Sequence, residues 1–354
     1  MSIYLDEKNP GKHKPFEDAS PDIVEYVRYL EVIAGKSANT AFSYFCDLRG
    51  FSRFMKRRRG LVPADSEMQD IDPKGLDTAF WASVTKEDIY EYLYFLNREC
   101  GNKKSSTARR LASLHGFYDY LVNQVNRLDS DPTAAIKPPK QDKVLPKYLT
   151  AEQSMDLLES TQTQSDFPER DYCMVVLFLN CGMRLSELVG MDLDDIDLEQ
   201  RVCYIRHTLQ RIQNPDRKSG EPKTCLHIGL PKNGKERIIP LHDHIVDLLR
   251  KIQEKYEPSD YLLSGDFRPT EPRTMENRFK KVLKTCGIRE VHFHVLRHTF
   301  ASQCIESGMD IKALSEILGH SSVKITIDRY VHLTMKFKQH QIMILHFPEK
   351  KCAV

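Results

Sequence analysis

From Asn123 to Lys147 the chain carries Asp131-Pro132, Pro138-Pro139 and Pro146 among several lysines and few apolar residues. Proline fixes φ and removes a backbone donor, so neither a helix nor an inner strand runs through such a stretch. It reads as an extended linker. That break restricts the 354 residues to two bodies, the number that about 150 residues per domain also suggests. The expected boundaries are 1–123 for a first domain, 124–146 for the linker, 147–335 for a second domain and 336–354 for a tail. Each body is long enough to bury its own core without a disulfide or a structural metal.

Composition removes several classes. Nine cysteines, none in a C-x-x-C pair, form neither a disulfide framework nor a zinc ribbon, and read as buried small hydrophobes in a reducing compartment. No apolar run approaches the roughly 20 residues of a membrane span. The polar start has no secretory core, so the chain is expected in the cytoplasm without a membrane partner. No phosphate-cradling glycine loop is visible, and neither a cofactor nor a metal is expected. Lysine and arginine total 52 against 50 acids, a net charge of +2, which argues against a wholly electrostatic nucleic-acid binder and leaves local patches open.

The first body reads as helices. Ser20-Pro21-Asp22 is a helix start, followed by Ile23, Val27, Leu30 and Ile33 at helical spacing. A second helix starts near Thr40, a polar stretch near 60–80 interrupts the pattern, Thr85 and Asp88 resemble a capping box, and Leu111 to Leu121 marks a fourth helix. The second body is mixed. Helices are expected after Thr150, over Tyr172–Leu179 and at 243–255, 274–286, His294–Glu306, Asp310–Leu318 and Ser322–Tyr330. Short strands are expected at Val202–Ile205 and Arg237–Leu241, with a polar, turn-rich stretch between them. The fold class is therefore mainly α with a small antiparallel sheet.

Two groups of basic residues lie in the first body. Arg49, Arg53, Lys56 and Arg57 crowd the end of the second helix, and Lys103, Lys104, Arg109 and Arg110 the beginning of the fourth. Either group alone reads first as a solvated helix face. Two of them in one small helical domain, followed by a lysine-rich linker, favour contact with DNA phosphates.

Chemistry gathers in four separated segments: Cys181-Gly182-Met183-Arg184-Leu185-Ser186-Glu187-Leu188; Pro231-Lys232-Asn233-Gly234-Lys235-Glu236-Arg237; His294-Val295-Leu296-Arg297-His298-Thr299-Phe300; and Leu318-Gly319-His320, with Tyr330 ten residues on. Singly, each has a bland reading: a surface ion pair, solvated turn lysines, a structural histidine. Together they form a phosphodiester kit. Two arginines can hold both non-bridging oxygens, histidine and lysine can move protons, and a tyrosine hydroxyl can attack phosphorus and keep the bond energy in a covalent intermediate.

These segments resemble the tyrosine recombinases, also called phage-type integrases, over most of residues 147–335, with Asp328-Arg329-Tyr330-Val331-His332 matching the nucleophile segment. The resemblance implies a SAM-like helical core-binding domain followed by the catalytic domain. It implies that Arg184 and Arg297 clamp the scissile phosphate and that Tyr330 attacks it. His294 would assist proton removal or position the phosphate, Lys232 would protonate the leaving 5′-oxygen, and His320 would hydrogen-bond a non-bridging oxygen. Glu187 would orient its neighbours. Lys232 is preferred to Lys235 on the Lys-x-x-Lys-Glu-Arg pattern alone.

The partners implied are double-stranded DNA sites and three further copies of the chain in a homotetramer, exchanging strands through a Holliday junction; an accessory protein and association with a prokaryotic nucleoid are compatible with this. The apolar Gln341–Phe347 segment is expected to exchange between subunits. A long polar insertion, Arg206 to Leu230, resembles integrases of conjugative transposons and mobile elements, whereas the short segment before the first helix resembles Xer enzymes, which resolve chromosome or plasmid dimers. Readings of other classes are a metal-dependent nuclease, built on His292, His294, His298 and the His242/His244 pair, and a non-catalytic DNA-binding regulator. The first lacks suitably placed carboxylates; the second would be expected to have lost some of the six groups.

Overall fold

The computed structural model describes residues 16, 18–139, 147–214, 222, 224–231, 234–289, 291–330 and 342–343. The chain divides into two compact units, Met1–Lys143 with Ile212–Cys225 and Val144–Arg211 with Leu226–Val354.

The first unit is helical: α1 (Pro21–Val32), α2 (Ala38–Arg58), α3 (Thr78–Ala82), α4 (Lys86–Arg98) and α5 (Lys104–Asp119), the last running into a π-turn at Tyr120–Gln124. The expected starts are present. Proline occupies the first turn of α1, and Thr85 and Asp88 bond each other's backbone at the start of α4, satisfying donors that a helix start leaves unpaired. The core is strongly aromatic. Trp81 is fully buried, stacked on Phe51 at 6.3 Å and met edge-on by Phe117 at 5.3 Å. It follows directly on the stretch near 60–80 read as a polar interruption, which itself buries Ile71 and Leu76.

The stretch read as a linker also differs. Leu128 and Ile136 are buried in the first core, and Thr133 is fully buried. The Asp131 carboxylate accepts the Thr133 N–H at 2.7 Å, making a turn around Pro132, and the His115 ring meets both the Thr133 hydroxyl (2.8 Å) and the Ile136 carbonyl oxygen (3.1 Å). Proline stops a helix here, but a side-chain-locked turn still returns the chain to the core. The last part of that stretch, 140–146, lies outside the described residues.

The second unit begins with α6 (Ala151–Thr163), capped reciprocally by Thr150 and Gln153, and α7 (Pro168–Cys181), whose apolar run is buried nearly all round. A single turn, α8 (Leu185–Leu188), leads to β1 (Ile196–Asp197), β2 (Val202–Ile205), β3 (Thr208–Gln213), β4 (Thr224–Gly229) and β5 (Arg237–Pro240). Strands β1, β2 and β5 form an antiparallel sheet in that order, with Cys203 opposite Ile239. The expected insertion is a second, two-stranded sheet of β3 and β4. Thr208, Leu209 and Ile212, and Thr224, Leu226 and Ile228, favour strands, which the polar residues among them concealed. Helices α9 (Asp243–Gln253), α10 (Pro272–Thr285), α11 (Phe293–Glu306), α12 (Ile311–Leu318) and α13 (Val323–Tyr330) complete the unit. Fold class is as expected, mainly α with small antiparallel sheets. Among the described residues no helix is long and apolar enough to cross a membrane.

Because Ile136 is a core residue, Ile136→Ala should cost about 2–5 kcal/mol of stability. Urea unfolding of the chain checks this; an unchanged midpoint would mean that the segment is a linker after all.

Candidate active site

Two helices end in the same way. α7 stops at Gly182 (φ +58°) and α12 at Gly319 (φ +62°), both left-handed, where a side chain would be strained. Space is short as well: a Cβ on Gly182 would lie 2.4 Å from the Phe300 ring. Helix ends leave carbonyls without intrahelical donors and carry the negative end of the dipole. Arginines occupy these positions. Arg297, only 2% exposed, donates from Nη1 to Gly182 O (2.7 Å) and from Nη2 to Leu318 O (2.6 Å). Arg184 donates from Nη2 to Gly319 O (3.0 Å), and Arg237 from Nε to Ile317 O (2.7 Å).

A single buried carboxylate binds two of these cations. Glu187 Oε1 accepts from Arg184 Nη1 (2.6 Å) and Arg237 Nη1 (2.9 Å), while Oε2 accepts from Arg237 Nη2 and the Arg184 backbone N–H, both at 2.7 Å. Burial alone would push the carboxyl up. The Arg237 hydrogen bonds, then the Arg237 and Arg184 charges, outweigh it and hold the pKa at about 2. Burial and the charge of Arg184 lower Arg297 to about 9, so it stays cationic at neutral pH. Arg184, Glu187 and Arg297 are the residues expected from the sequence. Arg237 has no role in that expectation; its neighbouring Lys-Glu and its strand register were the available signals.

The tyrosine stands against this cluster. Tyr330, 8% exposed, closes α13, and its hydroxyl is 2.7 Å from His298 Nδ1. The His320 ring lies parallel to it at 6.4 Å, with Nδ1 hydrogen-bonded to the Thr326 hydroxyl at 2.8 Å. His294 meets His298 edge-on at 5.3 Å. Burial and then neighbouring positive charge, chiefly Arg297 and Arg184 at His320 and Arg297 and Arg329 at His294, hold both imidazoles at about 4. His298 is also held at about 4, by burial and then by His294 and Arg329. Burial raises the Tyr330 hydroxyl above the ordinary phenol value, opposed by the charges of Arg297 and Arg329. At neutral pH the site thus holds cationic guanidiniums, neutral imidazoles and a protonated phenol. That combination binds an anion and has bases to receive a proton.

Residues 147–336 match the phage integrase family. The chain is a tyrosine recombinase of that family. It is 33% identical to tyrosine recombinase XerC of Caldanaerobacter subterraneus subsp. tengcongensis, over 88% of this chain and 83% of that one. It is 29% identical to XerD of Halalkalibacterium halodurans, over 90% and 95%. Its fold matches the Tn1549 transposon integrase in complex with a circular intermediate DNA, with TM-score 0.66, 20% identity and coverage of 92% and 99%. XerH bound to a palindromic difH substrate follows at TM-score 0.60, 17% identity and coverage of 91% and 94%.

In this recombinase five of the six expected catalytic residues, Arg184, His294, Arg297, His320 and Tyr330, belong to the cluster just described. Lys232 lies outside the described residues, and Lys235 is exposed. Of the residues expected at DNA, several arginines hold the first unit together. Arg49 pairs with Asp18 (2.8 Å), Arg53 donates to Ile71 O (2.9 Å), Arg57 covers the Phe95 ring, and Arg109 and Arg110 meet the buried Asp47. Lys103 and Lys104 are exposed at the start of α5, and Lys56 is half-buried. Among the described residues the histidines of the metal reading converge on no carboxylate: His242 and His244 face each other through Nδ1 at 2.8 Å. Among the described residues, ligand atoms converge at Asp192, Asp195 and His207, where Asp195 also accepts from Arg206 at 3.2 Å.

Two outcomes follow. Glu187→Gln leaves Arg237 and Arg184 without their counter-charge and should cost about 3–5 kcal/mol in urea unfolding. Glu187's pKa falls from 4.5 to about 2 on folding, so its stabilisation is complete above about pH 4.5 and is lost as pH drops through 2. His298 and His320 fall from 6.5 to about 4; the unfolded chain takes up their protons first, so stability falls as pH drops from about 6.5 towards 4. Imidazole NMR titration should find both rings neutral at pH 6; a midpoint near 6.5 for either would contradict the packing described.

Proposed function

We propose that the recombinase cuts and rejoins duplex DNA at specific sites through a 3′-phosphotyrosyl bond to Tyr330. The observation that carries this reading is the Tyr330 hydroxyl 2.7 Å from His298 Nδ1, beside the parallel His320 ring and within the influence of the Arg297 charge, with Arg184 and Arg297 fixed on the neighbouring Gly319 and Leu318 carbonyls. Arg184 and Arg297 hold the non-bridging oxygens and stabilise the charge that grows in the transition state. His320 adds a hydrogen bond, His294 positions the phosphate, and Lys232 protonates the departing 5′-oxygen. The energy of the broken bond stays in the protein–DNA linkage, so neither ATP nor a metal is required. A second strand's 5′-hydroxyl then attacks the phosphotyrosine and reseals the backbone.

The assembly proposed is a homotetramer on two DNA sites, working through a Holliday junction in the cytoplasm, with residues 336–354 exchanged between subunits. The first unit, whose core reaches Ile136, forms the core-binding domain, with Lys56, Lys103, Lys104 and the Arg49, Arg53, Arg57, Arg109 and Arg110 group facing phosphates. The β3–β4 sheet and the fold likeness to a transposon integrase support integration and excision of a mobile element. The identities to XerC and XerD favour a second reading, the resolution of chromosome or plasmid dimers.

Incubation with double-stranded DNA in EDTA should give a detergent-stable adduct that Tyr330→Phe abolishes. Arg184→Ala and Arg297→Ala should each slow its formation by about a hundredfold or more. Cleavage by the Tyr330→Phe protein would sink the nucleophile, and adduct formation only with added metal would sink the metal-free chemistry.

A further inference from the structure

The buried phenol needs a base, and the residues expected to act on it leave that role unfilled. His320 commits Nδ1 to Thr326 and lies parallel to the Tyr330 ring, with its centre 6.4 Å away. His294 meets the His298 ring edge-on at 5.3 Å and is exposed, which suits it to a phosphate rather than to the phenol. The base that meets the hydroxyl is His298, one helical turn beyond His294 on α11, with Nδ1 at 2.7 Å. The sequence reading assigned His298 no part in this chemistry.

We infer that His298 is the catalytic base that takes the Tyr330 proton during strand cleavage and returns it during rejoining. The inference rests on the reading of Tyr330 as nucleophile. In the forward step the Tyr330 Oη–P bond forms as the P–O5′ bond breaks. The phenolic proton passes to His298 Nδ1, which requires the neutral ring to carry its own proton on Nε2 and leaves an imidazolium. O5′ departs as a hydroxyl, with a proton from the separate acid assigned to Lys232. Charge favours the transfer: a bound phosphodiester brings a negative charge near Arg297 and Arg329 and so offsets part of their opposition to the imidazolium. Rejoining reverses every transfer, and the same imidazolium re-protonates the tyrosine as it leaves.

The competing explanation is that His298 merely holds a buried side chain in place. The experiment uses the full chain and a site recovered by covalent capture of wild-type protein on a random double-stranded DNA library, read as single-turnover adduct formation. Two substrates are compared, the natural phosphate and a 5′-bridging phosphorothiolate, whose sulfur leaves without an acid. His298→Ala should slow both by about a hundredfold or more, and imidazole in the buffer should restore part of the rate. His298→Asn can still hydrogen-bond the hydroxyl but is no base, and it should be as slow as the alanine variant. Wild-type rates in His298→Ala, faster cleavage, full activity in His298→Asn, or a defect erased by the phosphorothiolate would each overturn the assignment. Failure of the wild-type protein to form any adduct would instead remove the proposed function itself.

Discussion

The site depends on the Glu187 carboxylate. Arg184 and Arg237 both reach it, and Arg297 lies close enough for the Arg184 charge to lower its pKa. Like charges gathered out of water repel, and a buried charge without a partner costs several kcal/mol. One acid shared between two arginines offsets part of that repulsion and fixes both planes. It does not neutralise the cluster. Three guanidiniums and one carboxylate leave an excess of positive charge, which is the condition for binding a phosphodiester and for favouring a transition state that carries more negative charge than the ground state.

The carbonyls at the ends of α7 and α12 do the rest. Arg237 commits Nε to Ile317 O and both terminal nitrogens to Glu187, which makes it a holder of the site. Arg184 and Arg297 each engage two nitrogens in the scaffold and keep further N–H donors for an anion. The difference follows from position. Arg184 caps α8 and Arg297 lies on α11 between two helix ends, whereas Arg237 starts β5 and reaches across to α12. The glycines matter because a left-handed residue turns the last carbonyls towards those arginines, and at Gly182 because Phe300 leaves no room for a side chain.

Much of this was legible in the sequence, and unevenly so. Local signals carried well: the capping pairs Thr85/Asp88 and Thr150/Gln153, the proline starts of α1 and α7, and the glycine stops at 182 and 319 each act within one turn. The four chemical segments were legible as a set because their residue types make sense only together. Contacts between distant segments were not. Nothing near Arg237 names Glu187 as its partner, and nothing near His298 points to Tyr330, because those pairs exist only once α11, α13 and β5 pack. The basic residues of the first unit were legible as clusters but not in their partners: Arg109 and Arg110 meet Asp47, more than sixty residues earlier, so part of that charge is matched inside the unit.

The imidazoles explain why the cluster and the nucleophile must share one site. A phenol buried beside guanidiniums has opposing influences on it: burial keeps its proton on, and positive charge favours its loss. With the first dominant in the free chain, the tyrosine keeps its proton. Burial first, and then neighbouring positive charge, holds His294, His298 and His320 neutral and so able to accept a proton, which an imidazolium cannot do. On the proposed mechanism, a phosphate entering the site would supply negative charge, relieve the repulsion among the arginines and lessen the part of the penalty on protonating a histidine that their charge imposes, which ties base activation to substrate binding.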